Sequence, residues 1–261
     1  MPSNEVKNNM KDPIQIIDDQ NLPLFTLTED NKGTAKYEHS HSKDQITYIE
    51  SGLMKIIINT DIYLIPSGYL IYIPRNLAHN AEVQRQTVSH HLYIDNIYTK
   101  DLVSNAKMFC VSGLLKELIL KMIHTGVRVS SVDVAYLTVL RFELLSLQPD
   151  NTYSLPIPSH SKLQNVLRYI NDNISQKIQL TLIADHVHLS TRQLSRIFKK
   201  ETGMSFSLWI QNYKVLIAIK RLPVVKMTSV VASELGYDSD SAFIHMFKRL
   251  TNGKIPSDFY R

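Results

Sequence analysis

Leu189-Ser190-Thr191-Arg192-Gln193-Leu194-Ser195-Arg196-Ile197-Phe198-Lys199-Lys200 and Ser239-Asp240-Ser241-Ala242-Phe243-Ile244-His245-Met246-Phe247-Lys248-Arg249 close two copies of one small unit. The first copy opens on Ala184-Asp185-His186-Val187 and the second on Ala232-Ser233-Glu234-Leu235. Each copy reads as a short helix, a tight turn and a second helix with a basic end. A unit of this shape can place its second helix in the major groove of DNA. Two in one chain predict contact with two adjacent stretches of duplex.

The chemistry of the faces supports that expectation. Ser190 is a good N-cap for a helix over Thr191–Lys200. Leu194, Ile197 and Phe198 fall on one side at helical spacing. Arg192, Gln193, Ser195, Arg196 and Lys199 are left on the other. Arginine matches the guanine O6/N7 edge bidentately, and glutamine can do the same for adenine. Lys199, near the helix end, suits a phosphate. In the second unit Phe243, Met246 and Phe247 turn inward, leaving Asp240, Ser241, Ile244, His245 and Lys248 outside. Asp240 would repel phosphate but could accept from cytosine N4, so the first unit is expected to carry more base readout. The same pattern also fits two helical hairpins with solvated basic faces.

Working outward, a helix with apolar residues nearly all round is predicted from about Ser205 to Leu222, ended by Pro223. A further helix precedes the first unit, marked by Leu163, Val166, Leu167, Ile170 and Ile174. Residues 148–160 contain three prolines and no periodicity, and predict an interdomain linker. Before them, Met108, Val111, Leu115, Leu118 and Met122 predict one amphipathic helix. Val134, Leu137, Leu140 and Leu144 predict another. Each stripe reads as core packing against a β domain or as a homodimer seam. Short runs such as Lys55-Ile56-Ile57-Ile58 and Leu70-Ile71-Tyr72-Ile73, separated by turn signals, predict a sandwich or barrel between Phe25 and Tyr98. The domain reading is an N-terminal arm over residues 1–23, a sensor domain with coupling helices over 24–147, the linker over 148–160, and a helical domain over 161–261.

The charge divides with the domains. Residues 161–261 hold 15 Lys/Arg against 7 Asp/Glu, a balance of +8, and the remainder holds 14 against 17, a balance of −3. A basic half beside a mildly acidic one fits a nucleic-acid module joined to a domain with another task. No apolar run approaches the roughly 18 residues of a membrane span, and the polar N-terminus has no signal-peptide core. The single cysteine, Cys110, excludes an intrachain disulfide. These features predict a cytoplasmic protein with no membrane partner. No nucleophile constellation, phosphate loop or dinucleotide motif is present, so no enzyme activity is expected.

The repeated unit then becomes specific. Leu189-Ser190-x-x-x-Leu194-Ser195-Arg196-x-Phe198-Lys199-x-Glu201-Thr202-Gly203 resembles the first motif of AraC/XylS-type transcriptional regulators. Leu235-Gly236-Tyr237-Asp238-Ser239-x-Ser241-Ala242-Phe243-x-x-x-Phe247-Lys248-Arg249, followed by Pro256-Ser257, resembles the second. The resemblance implies two helix-turn-helix subdomains joined by the long helix around Trp209. It implies base readout by Arg192, Ser195 and Arg196, and by Asp240, Ser241, Ile244 and His245. The chain departs from the pattern at His188, where the first turn often has glycine, at His245 and Lys214, where arginine is frequent, and in the longer Leu250-Thr251-Asn252-Gly253.

In the N-terminal half, His39-Ser40-His41, Gln45, Gly52, Gly68, Pro74 and His79 keep a spacing similar to that of the cupin family. Gln45 stands where that family usually has an acid, and Asn76 where it usually has a glycine. His39 and His41 are two apart and share a strand face. With His79 and an oxygen from Gln45 they could hold a divalent metal. Three readings stay open: lining of an effector pocket or a structural role, a bound metal, and an active metalloenzyme. The fold expected is α+β and multidomain: a cupin-like β-barrel or sandwich with following helices, then an all-α domain with two helix-turn-helix units. The function expected is a DNA-binding transcription regulator, read as an activator, whose promoter binding is modulated by a small-molecule effector. Its expected partners are double-stranded DNA, that effector, a second copy of the chain and RNA polymerase. The alternative is a cupin-type metal-dependent enzyme carrying a helical binding module.

Overall fold

The computed structural model describes residues 23–31, 37–84, 86–102, 104–125 and 131–260, together with Ile17. The expected N-terminal arm lies outside the described residues except for Ile17 and Pro23. A sheet-rich N-terminal region is followed by a helical C-terminal one. The chain divides into two compact units, Met1–Gly52 with Pro66–Pro149, and Leu53–Ile65 with Asp150–Arg261. No helix among the described residues is long and apolar enough to cross a membrane.

The first unit is built on a five-stranded antiparallel sheet. Its strands are β1 (Leu24–Asn31), β2 (Asp44–Ser51), β5 (Tyr69–Ile73), β7 (Thr87–Ile94) and β8 (Lys107–Cys110), in the order β1-β7-β2-β5-β8. Strand β6 (His79–Val83) belongs to the same unit. Side chains alternate across a strand, so each face has its own chemistry. One face presents Ile46, Tyr48, Leu70, Tyr72, Leu92 and Ile94, all buried. Helices α1 (Gly113–Thr125) and α2 (Ser131–Ser146) cover it with Leu115, Leu118, Ile119, Met122, Leu137, Leu140 and Leu144. The other face carries Gln45, Thr47, Ser89, His91 and Tyr93, with Gln45 opposite Tyr93 and Thr47 opposite His91.

Two helix expectations change here. Met108 is not on a helix: Lys107–Cys110 pairs with Tyr69–Tyr72 as an edge strand, and α1 begins at Gly113. Ladder pairing with a buried strand outweighs a helical spacing that fits only partly. Val134 is 39% exposed and does not join the buried stripe of α2.

In the second unit β3 (Leu53–Ile58), β4 (Asp61–Pro66) and β9 (Ser154–Pro156) accompany the C-terminal helices. The segment expected as a linker is therefore not a bare connection. Ser154–Pro156 pairs with Asp61–Tyr63, burying Tyr153 and Leu155 completely. Pro156 is tolerated because an edge strand can spare one N–H, and its carbonyl accepts the Trp209 indole N–H at 2.7 Å.

The helical region comprises α3 (Ser161–Asp172), α4 (Leu180–His186), α5 (Thr191–Thr202), α6 (Phe206–Val225), α7 (Thr228–Glu234) and α8 (Asp240–Leu250). Ser190 caps α5 in a reciprocal box with Gln193, and Gly203 ends it at φ +71°. Helix α6 buries Trp209, Val215, Leu216, Ala218, Ile219 and Leu222 along its length. It does not stop at Pro223. The proline lies in the last turn and the helix closes three residues later on Lys226, at φ +54°.

The two tight turns are superposable in their hydrogen bonds. Leu189 N donates to Ala184 O at 2.9 Å, and Tyr237 N to Ala232 O at 3.0 Å. Both turns require a left-handed residue, supplied by His188 (φ +53°) and Gly236 (φ +70°). A Cβ at Gly236 would also stand 2.6 Å from Ser175 O. Gly236→Ala is therefore expected to cost more than about 2 kcal/mol. His188→Gly should gain about 0.5–1 kcal/mol by relieving the same strain where no clash exists. Urea midpoints of the two full-length variants check both signs.

Candidate functional site

On α5 the inward face is Leu194, Phe198 and Thr202. Arg192, Arg196, Lys199 and Lys200 are exposed, and Ser195 is half-buried. Arg192 and Arg196 are one turn apart, so their side chains leave the same side of the helix. Neither guanidinium has a hydrogen bond or ion pair among the described residues, so both keep their full set of donors for an external partner. An unpaired arginine on an exposed helix face, backed by packed apolar residues, suits bidentate recognition of a base edge or phosphate.

Gln193 differs from expectation. Its Oε1 accepts from both Ser190 N and Ser190 Oγ at 3.0 Å. The oxygen needed for bidentate contact with adenine is engaged in closing the N-terminus of α5. The capping-box spacing Ser-x-x-Gln was the signal that could have revealed this.

Helix α8 repeats the arrangement with different chemistry. Phe243, Met246 and Phe247 are buried, Asp240, Ser241, His245 and Lys248 are exposed, and Ile244 is half-buried. Asp240 lies in the first turn, where a negative charge favours the helix dipole. Arg249 turns away and donates to Gln211 Oε1 at 2.5 Å, tying α8 to α6.

The histidine constellation assembles as the spacing predicts. His39 and His79 exchange backbone hydrogen bonds at 2.9 Å in both directions. This sets their rings 4.4 Å apart by centroid, with the His41 ring 5.2 Å from that of His79. One ligand atom from each of the three lies within 4.8 Å of the others. Each Nδ1 faces a backbone carbonyl: Tyr37 O at 2.9 Å, Lys43 O at 2.7 Å and Leu77 O at 2.9 Å for His39, His41 and His79. A carbonyl only accepts, so each Nδ1 carries the proton and each Nε2 presents a lone pair. Burial lowers the His79 pKa from 6.5 to about 4, which keeps the ring neutral. Its Nε2 is buried without a hydrogen-bond partner.

Gln45 completes the group. Its Oε1 lies 2.8 Å from His41 Nε2, an acceptor facing an acceptor. The amide turned over would satisfy the pair, and so would one cation held by both atoms. A spacing of 2.8 Å suits adjacent ligands on an octahedral ion bound at about 2.0–2.1 Å. The orphaned His79 Nε2, the ring nitrogens of three histidines within 4.8 Å of one another and the amide oxygen together fit a divalent metal.

Behind this group runs a polar chain that the sequence reading left out. Gln45 Nε2 donates to Thr47 Oγ1 at 2.7 Å, and Thr47 Oγ1 and Ser89 Oγ each lie 2.9 Å from a ring nitrogen of His91. Glu29 Oε2 stands 3.4 Å from His91 Nε2. His90, on the opposite face, pairs with Glu50 at 2.8 Å and stacks on Tyr48. Cross-strand register, not local sequence, brings Glu29, Thr47 and His91 together.

Residues 183–261 match a family model described as a helix-turn-helix domain. The chain is 29% identical over 216 residues to the HTH-type transcriptional regulator NimR of Escherichia coli K12, covering 81% of this chain and 77% of that one. It is 30% identical over 112 residues to the arabinose operon regulatory protein of the same organism, covering 41% and 37%. It is 30% identical over 138 residues to XylDLEGF operon transcriptional activator 3 of Pseudomonas putida, covering 50% and 40%. The chain thus spans about three quarters of the first relative and well under half of the other two. The doubled unit, its exposed arginines and these likenesses agree: residues 183–261 form a helix-turn-helix domain of the AraC/XylS type, and the chain is similar over most of its length to a DNA-binding transcriptional regulator.

Proposed function

We propose that this regulator binds promoter DNA with α5 and α8 in two successive major grooves, roughly 34 Å apart on one face of the duplex. The observation that carries the reading is the pair of guanidiniums of Arg192 and Arg196 on the exposed side of α5, without partners among the described residues. Ser195, Lys199, Ser241, Ile244, His245 and Lys248 complete the contact surface, with Asp240 a weaker member. Gln193 serves the helix cap instead.

The sheet-rich unit is the sensor. A small-molecule effector binds against the polar sheet face, with His39, His41, His79 and Gln45 holding a divalent metal. A metal held there would supply positive charge and Lewis acidity toward an oxygen or nitrogen of the effector. The chain's residues fix its position through their carbonyl-bonded Nδ1 atoms. Sensing, not turnover, is the task of this group. An effector that favours one state of the protein shifts promoter affinity by linkage. Leu114, Val139, Phe142 and Leu145 leave an exposed apolar face on α1 and α2, which fits a homodimer. The Pseudomonas putida relative's name supports activation, and hence a contact with RNA polymerase, as the direction of regulation.

A gel-shift titration of the full chain over a salt series tests the DNA-binding half. Log K is expected to fall with log salt at a slope steeper than about −3, as several phosphates are neutralised. A flat response would reject groove binding.

A further inference from the structure

Between α5, the first half of α6 and the turn that precedes α8 lies a cavity of about 570 Å³. Its polar lining comes mainly from Lys177, Ser195, Ser207, Gln211, Lys214 and Tyr237, and none of its lining residues is an aspartate or glutamate. A space with two ammonium groups, several neutral donors and no acid is shaped for an anion.

Lys214 makes the case specific. It is 7% exposed, and its Nζ donates to Leu235 O at 2.5 Å and stands 5.0 Å over the Tyr237 ring. No carboxylate pairs it among the described residues. An ammonium carries three donors; one goes to Leu235 O and a second faces the Tyr237 ring, which leaves one without an acceptor among the described residues. A buried charge without a counter-ion is unfavourable, and an anion in the cavity removes that penalty. The cavity also borders the start of α6, where Ser205 caps a helix of 20 residues. The orphan N–H groups and the dipole there favour negative charge as well. Ser195 belongs to both the cavity and the outer side of α5, so the space adjoins the surface assigned to DNA.

We infer that this cavity seats one phosphate group between the two helix-turn-helix units. Two sources supply that chemistry: a backbone phosphate of bound duplex, or free inorganic phosphate. The first source rests on the DNA-binding reading; the second does not.

The test uses full-length Lys177→Ala and Ser207→Ala, both at exposed positions, with Lys214→Arg as the conservative variant. Duplex affinity is measured over a salt series on selected and scrambled DNA. In parallel, inorganic phosphate is titrated at constant ionic strength while thermal unfolding is followed. A backbone phosphate in the seat predicts a 2- to 10-fold loss for Lys177→Ala, equal on both duplexes, with the salt slope shallower by about 0.9. A free phosphate predicts a saturable rise in Tm for the wild type that Lys177→Ala and Ser207→Ala weaken and Lys214→Arg keeps. Wild-type behaviour of both alanine variants in both arms overturns the seat. If Arg196→Ala still loses selected-site affinity in that case, the DNA-binding reading survives and the seat alone fails.

Discussion

Alanine at both Arg192 and Arg196 is expected to remove most of the discrimination between the promoter site and random DNA, leaving the share read by α8, with the fold intact. A guanidinium that reads a guanine contributes about 1–3 kcal/mol of discrimination. The pair together is therefore worth about 2–6 kcal/mol if the two act on separate base pairs. Both side chains are exposed and make no bonds within the described protein, so their removal leaves no buried group unsatisfied. Thermal unfolding should stay within about 0.5 kcal/mol of wild type, the usual range for such surface changes. Fluorescence anisotropy on matched and scrambled duplexes separates the roles. Loss confined to the matched duplex marks base contacts, and equal loss on both marks phosphate contacts. Gln193→Ala provides the contrast. It should lower stability by about 1 kcal/mol, because it opens a capping box, with little change in base preference.

The second large effect concerns the histidines. Titration of apo protein with Co(II) or Zn(II) is expected to give one site per chain. His79→Ala should weaken it by more than about 100-fold, since losing a ligand costs more than losing an outer-shell partner, itself worth about 10–100-fold. His41→Ala should do the same and release Gln45 Oε1 from its nearest neighbour. Gln45→Glu should tighten the site, because a carboxylate adds a charge where the amide offers only a dipole. Wild-type affinity in His79→Ala would show that the lone pairs of His39, His41 and His79 serve some other purpose.

Much of the helical region was legible because each local signal agreed with the others. Ser190, Gly203 and the apolar spacing of Leu194 and Phe198 all point to one helix, and the structure places it over Thr191–Thr202. The second copy reinforced the first. His188 could be flagged as a departure because the resembled family often has glycine in the first turn, and the structure gives His188 the left-handed conformation that Gly236 adopts in the other turn. The failures lie where distant strands decide. Met108 fits a helical stripe, but pairing of its segment with Tyr69–Tyr72 makes it a strand. Ser154-Leu155-Pro156 reads as a proline-rich connection, and only the edge of β4 turns it into β9. The three histidines were legible as a group from their spacing alone, although His39 and His41 precede β2 and an isolated bridge from His39 to His79, not a shared strand, brings them together. Glu29 and Thr47 were not, because only the antiparallel register brings them to His91. Gln193 gained a second role that face chemistry alone did not show, because an exposed glutamine on a recognition face and a capping glutamine look alike until Ser190 is seen holding its Oε1.

Selection of bound duplexes from a random DNA pool tests the central claim most directly. Two preferred blocks are expected with centres one helical turn apart, about 10–10.5 base pairs, and with the stronger preference in the block contacted by α5. Shifting one block by half a turn should cost most of the affinity. A pool that shows no enrichment, or a single block indifferent to such a shift, would contradict paired insertion of α5 and α8 into DNA.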